Sequence, residues 1–465
     1  MAHYHFIGIG GAGLSPIARV LLERGHQVSG SDLMLSPAAQ ELRDLGVKVF
    51  IDHDAANISG ADVIIRSSAI SDSNPEAAAG FKASIAVIKR VDFLAELTAG
   101  KKVIAVAGTH GKTTTTAMIA WCLTSMGLDP SFVIGGISKN LGTNAHAGSG
   151  DYFVIEADEY DGMFLGLTPD VLVVTVVEHD HPDCYPTPES YFDAFTKLVK
   201  KIKAGGLLIA DRDHPGVRRL LDTVTGDFVK ITYGTDPAAD YKIENIHHSE
   251  GCGVGFSLRS SSPAAKALDI HVITLPIPGS HNAHNASAAL SVIHQLGLAY
   301  ENAVSALEKY SGTGRRYDIQ GFVNGITVID DYAHHPTEIR ATLSAARCQF
   351  PDREIWAVWQ PHTYSRTREL INDFKDAFSE CDHVIVTEIY ASREKKQAYS
   401  SSEVVKLMRH PDARQIAELK DVSAFLIERL KPGNVLLVLS AGDADQISRD
   451  VLGGLEKKGG ASHDR

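Results

Sequence analysis

Short apolar runs alternate along this chain with segments whose apolar positions return every three or four residues, the repeat that turns one face of a helix toward a core. The first run lies in residues 4–9. It is followed by Leu14, Ile17, Ala18, Leu21 and Leu22 near helical spacing, with Gly25 as a stop. Residues 47–50 and 61–66 are further strand candidates, and residues 90–102 read as a helix and a Gly-Lys-Lys connection. The alternation restarts with the apolar run 103–107 and a helix-compatible segment. It passes through runs at 152–155 and 171–177 and reaches a small-residue helix behind the Pro/Gly turn at 275–279. A third series places strands near 327–329, 355–359, 384–386 and 435–439, and the tail from Lys457 is expected to fray. Such alternation predicts an α/β protein with ligands at the strand ends. A length of 465 residues predicts about three domains, and the breaks near 98 and 312 divide the chain into 1–98, 99–312 and 313–465.

The segments that interrupt the apolar runs carry the chemistry. Run 103–107 breaks into Gly108-Thr109-His110-Gly111-Lys112-Thr113-Thr114 and then a helix. Glycines let the backbone approach a polyphosphate, helix-start N–H groups face its oxygens, Lys112 neutralises charge, and the Thr113 hydroxyl suits a magnesium ion. Val106 stands where the longer P-loop pattern has its first glycine, so the loop is the shorter G-x-x-G-K-T. Residues 8–13 hold a second glycine loop, with Gly8, Gly10 and Gly13 in G-x-G-x-x-G spacing and Gly11 between them. Asp32 lies about 20 residues on, at the ribose position of a dinucleotide fold. This loop recognises a diphosphate, whether of a dinucleotide or of another ligand. Ser67-Ser68 is a polar turn at a strand end, readable as a ligand rest or as a plain turn.

Glu156, Asp158, Glu159 and Asp161 crowd the end of the strand at 152–155, and Glu178-His179-Asp180-His181 follows the strand at 171–177. Close carboxylates repel unless cations sit among them, and oxygen ligands beside a phosphate loop suit magnesium. The two histidines alone are a poor zinc set. His281, Asn282 and Asn285 open the small-residue helix. They can meet an adenine edge, or Ser280 or Asn282 can simply cap the helix. Gly312-Thr313-Gly314-Arg315-Arg316 reads as a hinge with two cations, while Asp330, Asp331, Tyr332, His334 and His335, and later His362, Arg366 and Arg368, sit at strand ends of the third series.

Composition narrows these readings. A formal charge of -12 argues against a general nucleic-acid binder, though local cations can still hold a nucleotide. No apolar run reaches the length of a membrane span, and the N-terminus has no basic leader segment. Five widely spaced cysteines (Cys122, Cys184, Cys252, Cys348, Cys381) without a C-x-x-C pair fit a reducing compartment. A cytoplasmic protein, monomeric or homodimeric and without membrane or nucleic-acid partners, is expected.

In order, the two loops, E-A-D-E, D-H-P-D, G-x-H-N-x-x-N, G-R-R, D-D-Y-A-H-H-P-T-E and Q-P-H-T-Y-S-R-T resemble the Mur ligases over nearly the whole chain. The resemblance implies a Rossmann-like N-terminal domain that holds a UDP substrate, a central P-loop ATPase domain with a mainly parallel sheet, and a Rossmann-like C-terminal domain that binds an amino acid. It also implies ATP-dependent ligation of L-alanine to UDP-N-acetylmuramate through an acyl phosphate, with ATP and Mg2+, in peptidoglycan precursor synthesis. Carried over by motif, Gly8, Gly10, Gly11, Gly13, Asp32, Ser67 and Ser68 meet the UDP substrate. Gly108, Thr109, His110, Gly111, Lys112, Thr113, Thr114, His281, Asn285 and Arg315 meet ATP, while Thr113, Glu156 and His181 hold magnesium. Lys112, Glu156 and His181 act in catalysis, and Tyr332, His334 and Arg366 take the amino acid, Arg366 through a bidentate fork. Thr363 replaces an arginine and Val176 an asparagine common among relatives. A peptide-adding recycling ligase is the alternative within the family; an NAD-dependent oxidoreductase, resting on the first loop alone, and a non-catalytic nucleotide binder are the alternatives outside it.

Overall fold

The structure, a computed structural model, describes residues 1–249, 253–260 and 262–460. Cys252 lies outside these residues. Three separate sheets are built from successive stretches of chain, and the protein is α/β with three domains. The first sheet has five strands, all parallel, with His3–Ile7 in the middle between Gln27–Asp32 and Val63–Arg66, and Lys48–Ile51 and Ala86–Lys89 at the edges. Its strand order reverses beside the central strand, which puts the glycine loop after Ile7 at the crevice where open α/β sheets bind ligands.

The second sheet has ten strands. Its parallel heart runs through Gly206–Asp211, Val171–Val174, Lys102–Ala107, Tyr152–Glu156 and Ser131–Ser138. Lys102–Ala107, Tyr152–Glu156 and Val171–Val174 read as apolar runs because helices cover both faces of the sheet there. The antiparallel strands Val254–Ser260 and Leu268–Leu275 extend one side. The strand at 171–177 ends at Val174, three residues earlier than its apolar run suggested, because Thr175–Val177 fold against the phosphate loop: Thr109 N–H donates to the Val176 carbonyl at 2.7 Å. The third sheet has six strands, five of them parallel, with Val435–Leu439 between Ile326–Asp331 and Ile355–Trp359.

Phe93, Leu94 and Leu97 of the helix Arg90–Leu97 share a buried apolar cluster with Phe164 and Leu167, tying the first sheet's last helix to the central unit. The C-terminal helix Gln446–Gly460 continues past Lys457, where fraying was expected. No helix among the described residues is long and apolar enough to cross a membrane.

Candidate active site

Three strand ends of the central sheet converge on the phosphate loop. Gly108 and Gly111 take φ values of 142° and 78°, which L side chains rarely adopt. A Cβ at Gly108 would run into the Thr175 hydroxyl and the Val176 backbone, and one at Gly111 would run into the Asn285 amide. Lys112 opens the helix Lys112–Ser125. Its Nζ donates to the carbonyls of Gly108 (2.6 Å) and Thr109 (3.1 Å) and lies 2.9 Å from a Glu159 oxygen. Burial pulls the Lys112 pKa down, but Glu159 and Glu156 outweigh it and hold the ammonium above its usual range. The Thr113 hydroxyl donates to Glu156 at 3.1 Å, and the other Glu156 oxygen accepts the Gly135 amide at 2.6 Å. Burial raises the Glu156 pKa against the pull of Lys112. Such a carboxylate gains from a cation placed beside it.

Of the four acids at this strand end, Glu159 is the one most fully buried, and nothing in residue order singles it out. It pairs with Lys112 and sits 3.5 Å from His181 Nε2. His181 itself has φ 54°, a left-handed backbone at a non-glycine residue, and the chain turns there to bring the imidazole back over Glu159. His179, by contrast, bonds the Tyr185 carbonyl at 2.8 Å inside the central domain, so the two histidines do not form a pair of metal ligands.

Beside the loop lies a cavity of about 410 Å³, lined by Gly111, Thr113, Thr114, His281 and Asn285 and, across it, by Arg316. Asn285 is buried, accepts the Thr115 hydroxyl at 3.2 Å and donates to Asn282 at 3.1 Å, so its amide is largely engaged in packing helix against loop. His281 stays exposed on the cavity wall. Neither Ser280 nor Asn282 caps this helix, whose N-cap is Gly279 without a side-chain bond.

The hinge arginines divide differently from the reading that gave Arg315 to the nucleotide. Arg315 donates to the Ser440 carbonyl at 2.7 Å and lies 3.4 Å from Asp330, facing into the C-terminal domain, whereas Arg316 lines the cavity 3.5 Å from Glu338. Positive φ at Arg315 (58°) and Tyr317 (47°) twists the chain around Arg316 and sends the two guanidiniums apart. Both still lie over the Tyr332 ring, at 5.1 Å each.

On the C-terminal side His334 bonds the Tyr332 carbonyl at 2.9 Å, and burial together with Arg366 depresses its pKa to about 3, leaving a neutral ring. Arg366 makes a fork, but to Asp180 of the central domain, with contacts of 2.7 and 3.1 Å, and its remaining nitrogen meets His362 at 2.9 Å. The fork expected for a substrate carboxylate is therefore occupied by a protein carboxylate, because a guanidinium 2% exposed needs a permanent counter-ion. Thr363 is buried and caps the helix Tyr364–Glu369, so that position adds no cation.

His110, placed among the phosphate contacts by its motif, hydrogen-bonds Glu178 through Nε2 at 3.2 Å, and its Nδ1 lies 3.2 Å from a Glu338 oxygen in an ion-pair contact without hydrogen-bond alignment. Burial lowers its pKa, but Glu338 and Glu178 carry it up to about 9 from an ordinary 6.5. A cation whose folded pKa is raised stabilises fully below the unfolded value and loses that contribution as pH climbs through the folded one. The thermal midpoint of the protein is therefore expected to fall between pH 6.5 and about 9 more steeply than that of His110→Asn, a comparison that differential scanning fluorimetry checks. His110, Glu178 and His335 also have the spacing of a metal site. However, His335 Nδ1 accepts the Thr337 amide at 3.3 Å, which keeps the proton on Nε2 and leaves that nitrogen no lone pair for zinc.

The N-terminal glycine loop is held from beneath. Gly8 and Ile9 donate to the Ser31 carbonyl at 2.8 and 3.0 Å, and Gly10 donates to Asp32 at 2.9 Å. Asp32 thus braces the loop, with its other oxygen on the Leu33 amide at 2.8 Å. Gly11 and Ser68 are exposed, and Ser67 lies against Gly8. The guanidinium of Arg90 fills the space that a side chain at Gly13 would take, and it reaches Asp158 of the central domain at 3.7 Å. The helical pattern around Arg90 carried no sign of this.

A phosphate loop that faces a third α/β domain across one cavity, with a second glycine loop on the first domain, defines a nucleotide-using enzyme that brings several substrates together. The Mur ligase family, catalytic domain, matches residues 3–102, the Mur ligase middle domain residues 106–293, and the Mur ligase, glutamate ligase domain residues 315–442. The chain belongs to the Mur ligase family. It is 42% identical to the UDP-N-acetylmuramate–L-alanine ligase of Desulfosudis oleivorans over 98% of this chain and 99% of that one, and 42% identical to the Geobacter sp. (strain M21) protein of the same name over 96% of each. Among solved structures it is similar to the UDP-N-acetylmuramate-alanine ligase MurC of Thermotoga maritima (TM-score 0.82, 28% identity, 98% of this chain and 100% of that one). It is also similar to a murein peptide ligase of Psychrobacter arcticus (TM-score 0.73, 25% identity, 98% and 99%).

Proposed function

We propose that this chain ligates L-alanine to UDP-N-acetylmuramate in peptidoglycan precursor synthesis, converting ATP to ADP and phosphate. The observation that carries the reading is the convergence of Lys112, Glu156, Glu159 and His181 from the central domain with Arg366 and His334 from the C-terminal domain, His181 lying 3.4 Å from Arg366. In this reading residues 1–98 hold the UDP substrate through the Gly8–Gly13 loop and Ser67-Ser68, residues 99–312 hold ATP, and residues 313–465 hold the amino acid.

A carboxylate does not condense with an amine in water, so it must first be activated. The muramate carboxylate attacks the γ-phosphorus, the bond to the bridging oxygen breaks, and ADP leaves an acyl phosphate behind. The alanine amine then attacks the acyl carbon and expels phosphate. Lys112 faces the transferred phosphoryl group, and Arg316, in place of Arg315, reaches the nucleotide phosphates across the cavity. Thr113 and Glu156 offer oxygen ligands and His181 an imidazole for Mg2+, which would screen the phosphate charges. Tyr332 and His334 shape the amino-acid side, and Asp180 fixes the Arg366 charge beside it.

Phosphate release is expected to require UDP-N-acetylmuramate, an amine and a divalent cation together. Release at full rate from ATP alone, or in excess EDTA, would contradict the proposal. A screen of amino acids and muropeptides with mass detection separates alanine from a peptide acceptor. Arg316→Ala is expected to raise the KM for ATP by at least about tenfold, the loss of one charge-assisted bond to phosphate. Arg315→Ala should leave that KM near wild type, and the reverse order would restore the hinge assignment made from sequence.

A further inference from the structure

His110 stands in the phosphate loop, yet the proposed chemistry gives it nothing to do. Its ring lies between Glu178 of the central domain and Glu338 of the C-terminal domain, with Nε2 and Nδ1 each 3.2 Å from a carboxylate oxygen. The side chain is 11% exposed. A neutral imidazole has one donor and one acceptor, and an acceptor nitrogen aimed at a carboxylate is repelled. Nε2 is hydrogen-bonded to Glu178 while Nδ1 makes only an ion-pair contact with Glu338, and the ring is a cation shared by two domains. The same seam is closed by the Thr337 hydroxyl, 3.1 Å from both Glu178 oxygens, and by His335, whose ring centre is 4.7 Å from that of His110. His334, 3.5 Å from a Glu338 oxygen, Asp180, which acts on His335, His214 on the central side and Arg316 at the hinge also act on this cluster.

Glu338 leads onward. Its second oxygen accepts the amides of His334 (3.1 Å) and His335 (3.4 Å), completing a capping box with His335 at the start of the helix Pro336–Gln349. A continuous path thus runs from the phosphate loop through His110 and Glu338 to the turn that carries His334. A phosphate contact for His110 would require breaking one of these two ion pairs.

We infer that His110 is a positioning residue: by bridging Glu178 and Glu338 it locks the turn bearing His334 onto the phosphate loop, so that the amino-acid side is assembled only when the two domains are clasped. The geometry stands by itself, while the naming of alanine as the substrate affected rests on the function proposed above.

The test uses the full chain with His110→Asn, Glu338→Gln and the double variant. Each single change is expected to raise the KM for L-alanine by about 30-fold, as for truncation of one partner of a buried charge pair. Affinity for the non-hydrolysable analogue AMP-PNP, titrated without other substrates, is expected to change by much less than the alanine KM, and the double variant to be no worse than the worse single one. An unchanged alanine KM in both single variants, or loss of AMP-PNP affinity in step with it, overturns the inference. Small-angle scattering of the AMP-PNP complexes gives a readout independent of the acceptor, the wild type being more compact than either single variant. If the wild type does not use alanine but the scattering difference is present, the substrate assignment fails and the clasp stands. Equal radii overturn the clasp whatever the acceptor.

Discussion

Replacing Lys112 by alanine is expected to cut turnover by ~10²–10³, the usual loss when one preorganised donor to a developing anionic oxygen is removed. The surroundings of Lys112 make the experiment more demanding than that figure suggests. The ammonium is also the partner of Glu159, whose side chain is 2% exposed, and Glu156 contributes to holding it charged. Removing it leaves Glu159 buried with only His181 and the Tyr191 hydroxyl beside its carboxylate, and breaking such a pair costs about 3–5 kcal/mol. Lys112→Ala should therefore melt at a lower temperature as well as turn over slowly. The double variant Lys112→Ala/Glu159→Gln separates the two effects: it should regain most of the melting temperature and none of the rate. A double variant that recovers turnover would show that Lys112 serves stability alone. A single variant near wild-type rate would remove it from the chemistry.

Arg366→Ala carries the second largest expected effect. Arg366 and Asp180 are 186 positions apart in sequence, both nearly dry, and their fork joins the central and C-terminal domains. Burial pushes the Asp180 pKa up, yet Arg366 holds it well below the ordinary carboxylate range. Loss of the guanidinium strands that charge, a penalty of about 3–5 kcal/mol that urea unfolding should register. Alanine KM should rise in the same variant, because the cation beside His334 and His362 is gone. Arg366→Lys keeps the charge and loses the fork, so it should fall between wild type and Arg366→Ala in both measurements. Asp180→Asn in the Arg366→Ala background should restore stability without restoring the alanine KM. If it restores both, Arg366 acts only as a strut between domains.

The parts of this protein that are legible in its sequence are those made by neighbours in the chain. A strand, a glycine turn and a helix occupy one short stretch, so both phosphate loops, the start of the helix at Lys112 and the carboxylate at Glu156 can be read directly from residue order and spacing. The apolar runs likewise announced α/β architecture, since strands covered by helices on both faces have no polar alternation to hide them. Choices among adjacent candidates were not legible. Arg315 and Arg316 are equivalent in sequence, and two left-handed residues decide which one enters the cavity. Glu156 and Glu159 share one strand end, and only the position of the helix bearing Lys112 gives the buried pair to Glu159. Asp32, Arg366 and His110 each carry the residue type a ligand would want, yet each is at least partly engaged inside the protein, with the Gly10 amide, with Asp180, and with Glu178 and Glu338. Sequence determined which chemical groups are present and which turns display them. Tertiary structure decided which of those groups remain free for a substrate, because a buried charge must be matched by whatever partner packing brings within about 3 Å, and that partner can lie anywhere along the chain.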